Sequence, residues 1–336
     1  MDATRRLGEM GYAPVRRKTS GGKYKPHFSL SFRSQDKDVT FGVDTTRLTR
    51  NDDQFFLITH AHTDHYGKSA MLSKRALASD KTALALELRH DQRFGGVRFQ
   101  VGDTVDVEGV KVRTYPTHHS IGSTAFYWEN ELGVKTLITG DIKDSKDLPK
   151  CDLLVMEATY GNPGDLSCVF EDDYAAFEAA LRERRVGFGA YSFGKAQRAV
   201  SLIREMGDDR TIGMDQSALR LTRHLLGDEA GDIVRLDHRY EGGLCITSPW
   251  SLDRLPPGMK KYVLTGQHYY EHPCICISDH IDFKGLREMV GRLDPQFVIV
   301  YHPEVGNSRH FSRFLNNNGR DACTLADLSP IRQTTL

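Results

Sequence analysis

No two cysteines of this chain form a Cys-x-x-Cys pair, although there are six, at 151, 168, 245, 274, 276 and 323. That speaks against a zinc ribbon or a thioredoxin-type site and leaves all six as small buried or half-buried hydrophobes. An excess of one charge is also lacking. Lys+Arg and Asp+Glu both number 45, so the formal net charge is zero. Any site for a polyanion must then be a local patch rather than a global field. No apolar run is long enough to cross a bilayer. The opening residues, MDATRRLGEMGYAPVRRK, hold no apolar core of signal-peptide length. With free thiols added, these absences predict a cytoplasmic protein with no membrane partner. Internal repeats, low-complexity stretches and a Gly-x-x-x-x-Gly-Lys-Ser/Thr phosphate loop are missing as well.

What is present is 336 residues, 39% hydrophobic and 27% charged, enough for one large domain or two ordinary ones with a sizeable core. Residues 1–36 are polar and basic, with Arg16-Arg17-Lys18 and Lys23-Tyr24-Lys25 around a Gly-Gly turn, and predict a loose edge or a hairpin. From 38 to 157, short β-type segments recur: VTFGV, FFLIT, VRFQV, VKVRTY, STAFYW, KTLIT and DLLVME. A helix, in one or two pieces, is expected after His65, through SAMLSKRALASDKTALALELR. Between 158 and 270, EDDYAAFEAALRERR, GKAQRAVSLIREM and QSALRLTRHLLG carry apolar residues three and four apart, the pattern of amphipathic helices. VGFGAYS and TIGMD lie between them as strands, which is α/β alternation. The final stretch, 274–325, reads strand, helix, strand, helix, strand.

The densest chemistry is in FFLITHAHTDHYG, where His60, His62, Asp64 and His65 follow an apolar strand. In extended chain alternate residues point the same way, so His60 and His62 reach one point. Asp64 and His65 face a second point nearby. Two ions about 3.5–4 Å apart can share such a loop, and imidazole with carboxylate suits zinc, or manganese at the acid-rich side. Further ligand candidates stand at strand ends: His118 and His119 in YPTHHSIGS, Asp141 in LITGDIK, His302 in VIVYHPE and His280 in CISDHIDF.

His-x-His-x-Asp-His, then His-x-x-Gly-Ser, then a strand ending Gly-Asp, resembles the motif order of the metallo-β-lactamase superfamily. LLVMEATYG, AYSFGKAQR, SDHIDF and VIVYHPE resemble, in order, the signatures of its β-CASP nuclease branch. The resemblance covers nearly the whole chain after residue 38. It implies an α/β fold, an αββα metallo-β-lactamase sandwich with an inserted α/β β-CASP domain. The core would occupy 1–161 and 271–336 and the insert 162–270. It further implies His60, His62 and His119 as ligands of one metal ion, Asp64, His65 and His302 as ligands of a second, and Asp141 as the bridge. Both ions would be zinc. His119 is preferred to His118 because Gly122 completes the family spacing only from His119. Asp64, Glu157 and His280 become the catalytic candidates, with His280 donating a proton to the leaving oxygen, Glu157 orienting it, and Asp64 also contacting the attacking water. Pro303 and Ile121 depart from the family's usual glycine and proline, at loops beside the cleft.

At Gly194-Lys195 a strand runs into a small-residue turn and a helix opens. Free amides at a helix start attract anions, so Lys195 and Arg198 are candidate contacts to substrate phosphate. His268 and His272 fall on no motif, and Tyr269 or Tyr270 beside them could stack a base. His27, His90, His224, His238 and His310 read as ordinary.

The function expected is a two-metal phosphodiester hydrolase of nucleic acid, an RNA-processing exo- or endonuclease. RNA is favoured because RNA-directed members of the resembling branch keep a histidine at the position of His302. The alternatives are a DNA exonuclease of the ligase-associated or repair type, a small-substrate hydrolase, for which the insert is superfluous, and a non-catalytic binding subunit, for which the filled ligand positions are superfluous. No further nucleic-acid-binding domain is evident at either end, so substrate choice is expected from the groove of core and insert or from a partner.

Overall fold

A computed structural model describes residues 2–18, 21–44, 54–267, 269–301 and 307–328. In chain order the first elements are helix α1 (Ala3–Glu9), strands β1 (Tyr12–Lys18), β2 (Tyr24–Ser34), β3 (Lys37–Val43) and β4 (Phe55–Leu57), helix α2 (Lys68–Met71), β5 (Ala76–Ser79), α3 (Asp80–His90), β6 (Val97–Phe99), β7 (Thr104–Val107), β8 (Val110–Pro116), β9 (Thr124–Glu129), β10 (Lys135–Ile138) and β11 (Leu153–Met156). There follow α4 (Tyr174–Leu181), β12 (Val186–Gly189), α5 (Lys195–Glu205), β13 (Ile212–Met214), α6 (Gln216–Leu226), β14 (Ile233–Arg235), β15 (Leu244–Thr247), β16 (Lys260–Leu264) and β17 (Cys274–Ile275). The chain closes with α7 (Phe283–Leu293), β18 (Phe297–Val300), α8 (Ser308–Asn317) and β19 (Ala322–Thr324). These elements form two compact units. The first is made of the described residues of Met1–His118, Gly122–Asp165 and His280–Leu336, the second of His119–Ile121 and Leu166–Asp279.

The first unit holds two sheets, ordered β1-β2-β3-β4-β5-β6 and β19-β18-β11-β10-β9-β8-β7. Their inner faces share one apolar core, in which Phe28, Leu30 and Phe41 of one sheet meet Phe126, Trp128, Ile138, Val155 and Ile299 of the other. The runs LLVM and FVIV have no polar face because the second sheet is covered on both sides. Leu153, Val155, Phe297 and Ile299 point into the shared core. Leu154, Met156, Val298 and Val300 point outward onto Leu286, Met289, Leu293, Phe311 and Leu315 of α7 and α8. Period-two alternation thus distributes one apolar run between two cores. Strands β10, β11 and β18 run parallel, so the loops leaving their carboxyl ends emerge at one edge.

The second unit is built on a single parallel sheet, ordered β14-β13-β15-β12-β16-β17. Val186, Phe188, Ile212, Met214, Leu244 and Ile246 pack on one face against Phe177 of α4, Ala196, Ala199, Val200 and Ile203 of α5, and Ala218 and Leu219 of α6. The other face carries Cys245 and Val263 against Leu252, Leu255 and Met259.

Three local expectations need correction. The stretch after His65 does hold two helical pieces, but a strand that was not expected lies between them. α2 and α3 are short and separated by β5, whose sequence ALAS has little β-propensity. It becomes a strand because all four residues are buried between parallel neighbours β4 and β6. The N-terminal stretch begins with α1, capped by Asp2, before the β1–β2 hairpin that pairs Lys18 with Tyr24. In the region 158–270 the pattern showed the three helices and the strands β12 and β13 but missed β14, β15 and β16, which become strands by joining the parallel sheet beside β12 and β13.

Candidate metal centre

Every described histidine or acid that the sequence singled out for metal lies in a loop leaving a strand or entering a helix. His60, His62, Asp64 and His65 follow β4, His119 lies between β8 and β9, Asp141 follows β10, Glu157 follows β11, and His280 precedes α7. His302, which follows β18, and Pro303 lie outside the described residues.

His60, His62, His119 and Asp141 each offer one ligand atom, and these atoms lie within 4.8 Å of one another. Asp141, Glu157 and His280 form a second such group sharing the aspartate. Asp141 is the meeting point. Its Oδ2 stands 3.6 Å from His60 Nε2, 3.4 Å from His65 Nε2 and 4.0 Å from His280 Nε2. His65 Nε2 is also 3.5 Å from Asp64 Oδ2. Nitrogen and oxygen ligands about 2.0–2.2 Å from a tetrahedral ion lie roughly 3.3–3.6 Å from each other, so the spacings from Asp141 to His60 and His65 fit a divalent cation, while His280 stands farther off.

The other ring nitrogens show which atoms are aimed inward. The Thr59 hydroxyl donates to Asp44 Oδ2 (2.8 Å), which leaves its oxygen to accept from His60 Nδ1 at 3.0 Å. His65 Nδ1 donates to Asp44 Oδ2 at 2.8 Å, and His119 Nδ1 donates to the Asp279 carbonyl at 2.9 Å. With Nδ1 engaged in this way, Nε2 is the ring atom that each of these imidazoles can offer to a cation, the usual second-sphere device of metal-binding histidines. Burial would lower the His65 pKa, but the charges of Asp141 and Asp44 outweigh it and push it well up, so this spot favours positive charge. His60, His65, His119 and Asp141 are all almost fully buried. The donor set, its spacing and its charge all fit one or more divalent ions.

His118 is placed otherwise. It sits in left-handed backbone at φ 55° with its side chain 45% exposed, 3.9 Å from Asp147. Of the adjacent pair, His119 is the one that joins the cluster. Glu157, only 1% exposed, receives His280 Nδ1 at 2.9 Å on both carboxylate oxygens and is itself held by the amides of Ile142 and Thr159. That turns His280 Nε2 toward Asp141.

Lys195 and Arg198, expected to meet phosphate, are committed elsewhere. Lys195 Nζ bonds the Ile277 carbonyl at 3.0 Å and Asp279 Oδ2 at 3.1 Å, with its side chain 10% exposed. Arg198 pairs with Asp172 at 2.5 Å and Asp279 at 3.2 Å and donates to the Ser278 carbonyl. The Gly194 amide at the start of α5 is taken by Gln197 Oε1 at 2.8 Å. Both cations thus already face carboxylates of the protein itself. His272 pairs with Asp253 at 3.1 Å, and His268 lies outside the described residues.

Sequence reasoning missed Asp44, Thr59 and Asp279. Asp44 had a readable signal, an acid directly after the strand FGV, the same pattern as Asp141 after LITG. Thr59 and Asp279 had none, because their roles are set by the partners that the fold brings to them.

A buried cluster of imidazoles and a shared carboxylate at the strand ends of a two-sheet α/β unit defines a candidate metal centre. The comparisons with known proteins agree with that class. No family model matches the chain. A probable DNA ligase of Opitutus terrae is 24% identical over 300 residues, covering 80% of this chain and 28% of the ligase. An RNase J-like protein of Methanocaldococcus jannaschii is 24% identical over 159 residues, 38% of each chain. RNase aCSPSF2 of Saccharolobus solfataricus is 23% identical over 211 residues, 51% of this chain and 42% of that one. The chain thus spans less than half the length of each of these curated relatives. A crystal structure of a protein of unknown function from Enterococcus faecalis V583 shares the fold, with a TM-score of 0.62 and 12% identity over 96% of this chain and 98% of that one. The resemblance to β-CASP nucleases of the metallo-β-lactamase superfamily is supported by these relatives at low identity.

Proposed function

We propose that the chain is a metal-dependent phosphodiester hydrolase of nucleic acid, an αββα metallo-β-lactamase core interrupted by a β-CASP insert at 162–270. The observation that carries this reading is the convergence of His60, His62, His119 and Asp141 on one point beside the Glu157–His280 pair. His60, His62 and His119 would hold one zinc ion, Asp64, His65 and His302 the other, with Asp141 common to both. Bound ions of this kind supply an ionised water at neutral pH and neutralise charge on a scissile phosphate. Asp64 holds the attacking water in line. His280, oriented through Nδ1 by Glu157, delivers a proton from Nε2 to the leaving oxygen.

DNA is the favoured polymer. The probable DNA ligase aligns over 80% of the chain, whereas the two RNase-named relatives align over 38% and 51%. RNA is the second reading, supported by those two names and by the presence of His302. A panel of labelled single- and double-stranded DNA and RNA, with and without chelator and beside Asp64→Ala, tests both. We expect chelator-sensitive cleavage that Asp64→Ala reduces by orders of magnitude while leaving the circular dichroism spectrum unchanged. Cleavage of neither polymer would sink the nuclease reading and favour a small-substrate hydrolase.

A further inference from the structure

The second unit gathers four aromatic side chains at one place: Tyr270, half-buried against the Leu252, Leu255 and Met259 cluster, and three rings that stand exposed around it. Tyr191, Trp250 and Tyr269 are 46%, 68% and 63% exposed. Tyr269 stacks on Tyr270 with ring centroids 4.6 Å apart and planes 29° apart, and Trp250 leans on Tyr270 at 5.4 Å and 42°. The hydroxyls of Tyr191 and Tyr270 are 3.0 Å apart. Leaving so much ring surface in water is costly.

The members come from three different loops. Tyr191 follows β12, Trp250 follows β15, and Tyr269 and Tyr270 follow β16. These strands are neighbours in the order β15-β12-β16 and all parallel, so the rings crown the carboxyl edge of the sheet. That edge is where open parallel sheets receive their ligands.

We infer that this cluster is a stacking platform for the unpaired bases of a single-stranded nucleic acid, a proposal that rests on the nucleic-acid reading above. A base presents a flat π-face, and aromatic faces bind such surfaces with little regard to sequence. The Tyr269–Tyr270 pair is already an offset stack that a base can extend, and its phenol groups, with the Trp250 indole N–H, supply polar edges. Among the described residues of Leu166–Asp279, the large hydrophobics that stand exposed are Leu166, Val169, Tyr174, Tyr191, Trp250 and Tyr269, and the last three are the ones gathered in this cluster.

The chain has two tryptophans, Trp128 buried in the first unit and Trp250 in this cluster, so indole emission reports on the platform. The experiment titrates the full chain in chelator, so that nothing is cleaved, with a labelled oligothymidylate, the matching oligouridylate and an abasic strand of equal length. Binding is read by anisotropy and by Trp emission. The base-containing strands should quench emission and bind more tightly than the abasic one. Trp250→Ala and Tyr269→Ala should each weaken binding by about 5- to 100-fold, with Trp250→Phe retaining most of it. Equal binding of the abasic strand, or unchanged binding by both alanine variants, overturns the proposal. So does a dimer in sedimentation that Trp250→Ala dissociates without affecting the oligonucleotide, since the patch would then join two copies. Base-dependent binding without any cleavage in the nuclease panel would leave the platform standing and remove the hydrolase, so the two readings fail separately.

Discussion

Thr59 has one hydroxyl, and the site uses both its proton and its oxygen. By donating to Asp44 and accepting from His60 it fixes one imidazole, while Asp44 fixes a second through His65. Ligand geometry here is therefore set one residue away from the ligands. The histidine motif was legible because its members are close in sequence and their types are costly to explain otherwise. Asp279 was not, because it reaches His119 through a backbone carbonyl 160 residues away, and no periodicity encodes that. The adjacent pair His118 and His119 offers a direct check on the ligand assignment. His119→Ala should lower zinc affinity by at least about tenfold, since even second-sphere losses cost 10–100-fold, whereas His118→Ala should match the parent. Competitive chelator titration reads both, and equal losses would undo the assignment.

At the scale of elements, the turn after β10 places Asp141. Gly140 there has φ +57°, and a Cβ on it would lie 2.5 Å from the Thr59 hydroxyl oxygen and 2.6 Å from Thr59 Cβ. Only a residue without a side chain lets the two strand-end loops approach this closely. Gly133 is the control: its φ is +75°, but its nearest neighbour is 3.8 Å away, at the Glu129 carboxylate. Gly133→Ala should cost only backbone strain, about 1–3 kcal/mol. Gly140→Ala should cost that and also push Thr59 off His60, so its metal affinity falls as well. Metal affinity unchanged in both variants would mean that Thr59 does not set the ligand. The elements themselves were legible where a long pattern repeats, as in α5, α6 and the doubly buried strands β11 and β18. They were obscure where tertiary burial and sheet pairing decide, as in β5 and in the edge strand β14.

At the scale of the molecule, the second unit is one uninterrupted segment, Leu166–Asp279, apart from three residues around His119. Its two ends are tied together. The Asp173 amide donates to the Cys276 carbonyl at 2.7 Å and the Ser278 amide to Asp172 Oδ1 at 2.9 Å. Arg198 spans Asp172 and Asp279, and Lys195 adds a second bond to Asp279. The basic pair that the sequence offered as a substrate contact is thus the clasp of this segment. A helix start with lysine and arginine reads the same whether its anion is a ligand or a distant aspartate, which is why the sequence left the choice open. With its own sheet, its own core and joined ends, the segment 166–279 should fold cooperatively when expressed alone. Burial would raise the Asp279 pKa, but the charges of Lys195, His119 and Arg198 outweigh it and hold the carboxyl well below the ordinary aspartate range. A depressed folded-state pKa contributes stability that is fully present above the unfolded value of about 3.9 and disappears as pH falls through the folded one. The segment lacks His119 but keeps Lys195 and Arg198, so its urea titrations should give nearly constant stability from this group between pH 7 and pH 5 and a steep loss below about pH 4. Asp279→Asn leaves Lys195 buried without its counter-charge and should cost about 3–5 kcal/mol at pH 7. Its profile below pH 4 should be flatter than the parent's, because the titrating carboxyl is gone. Parallel profiles for the two proteins would show that Asp279 does not clasp the segment.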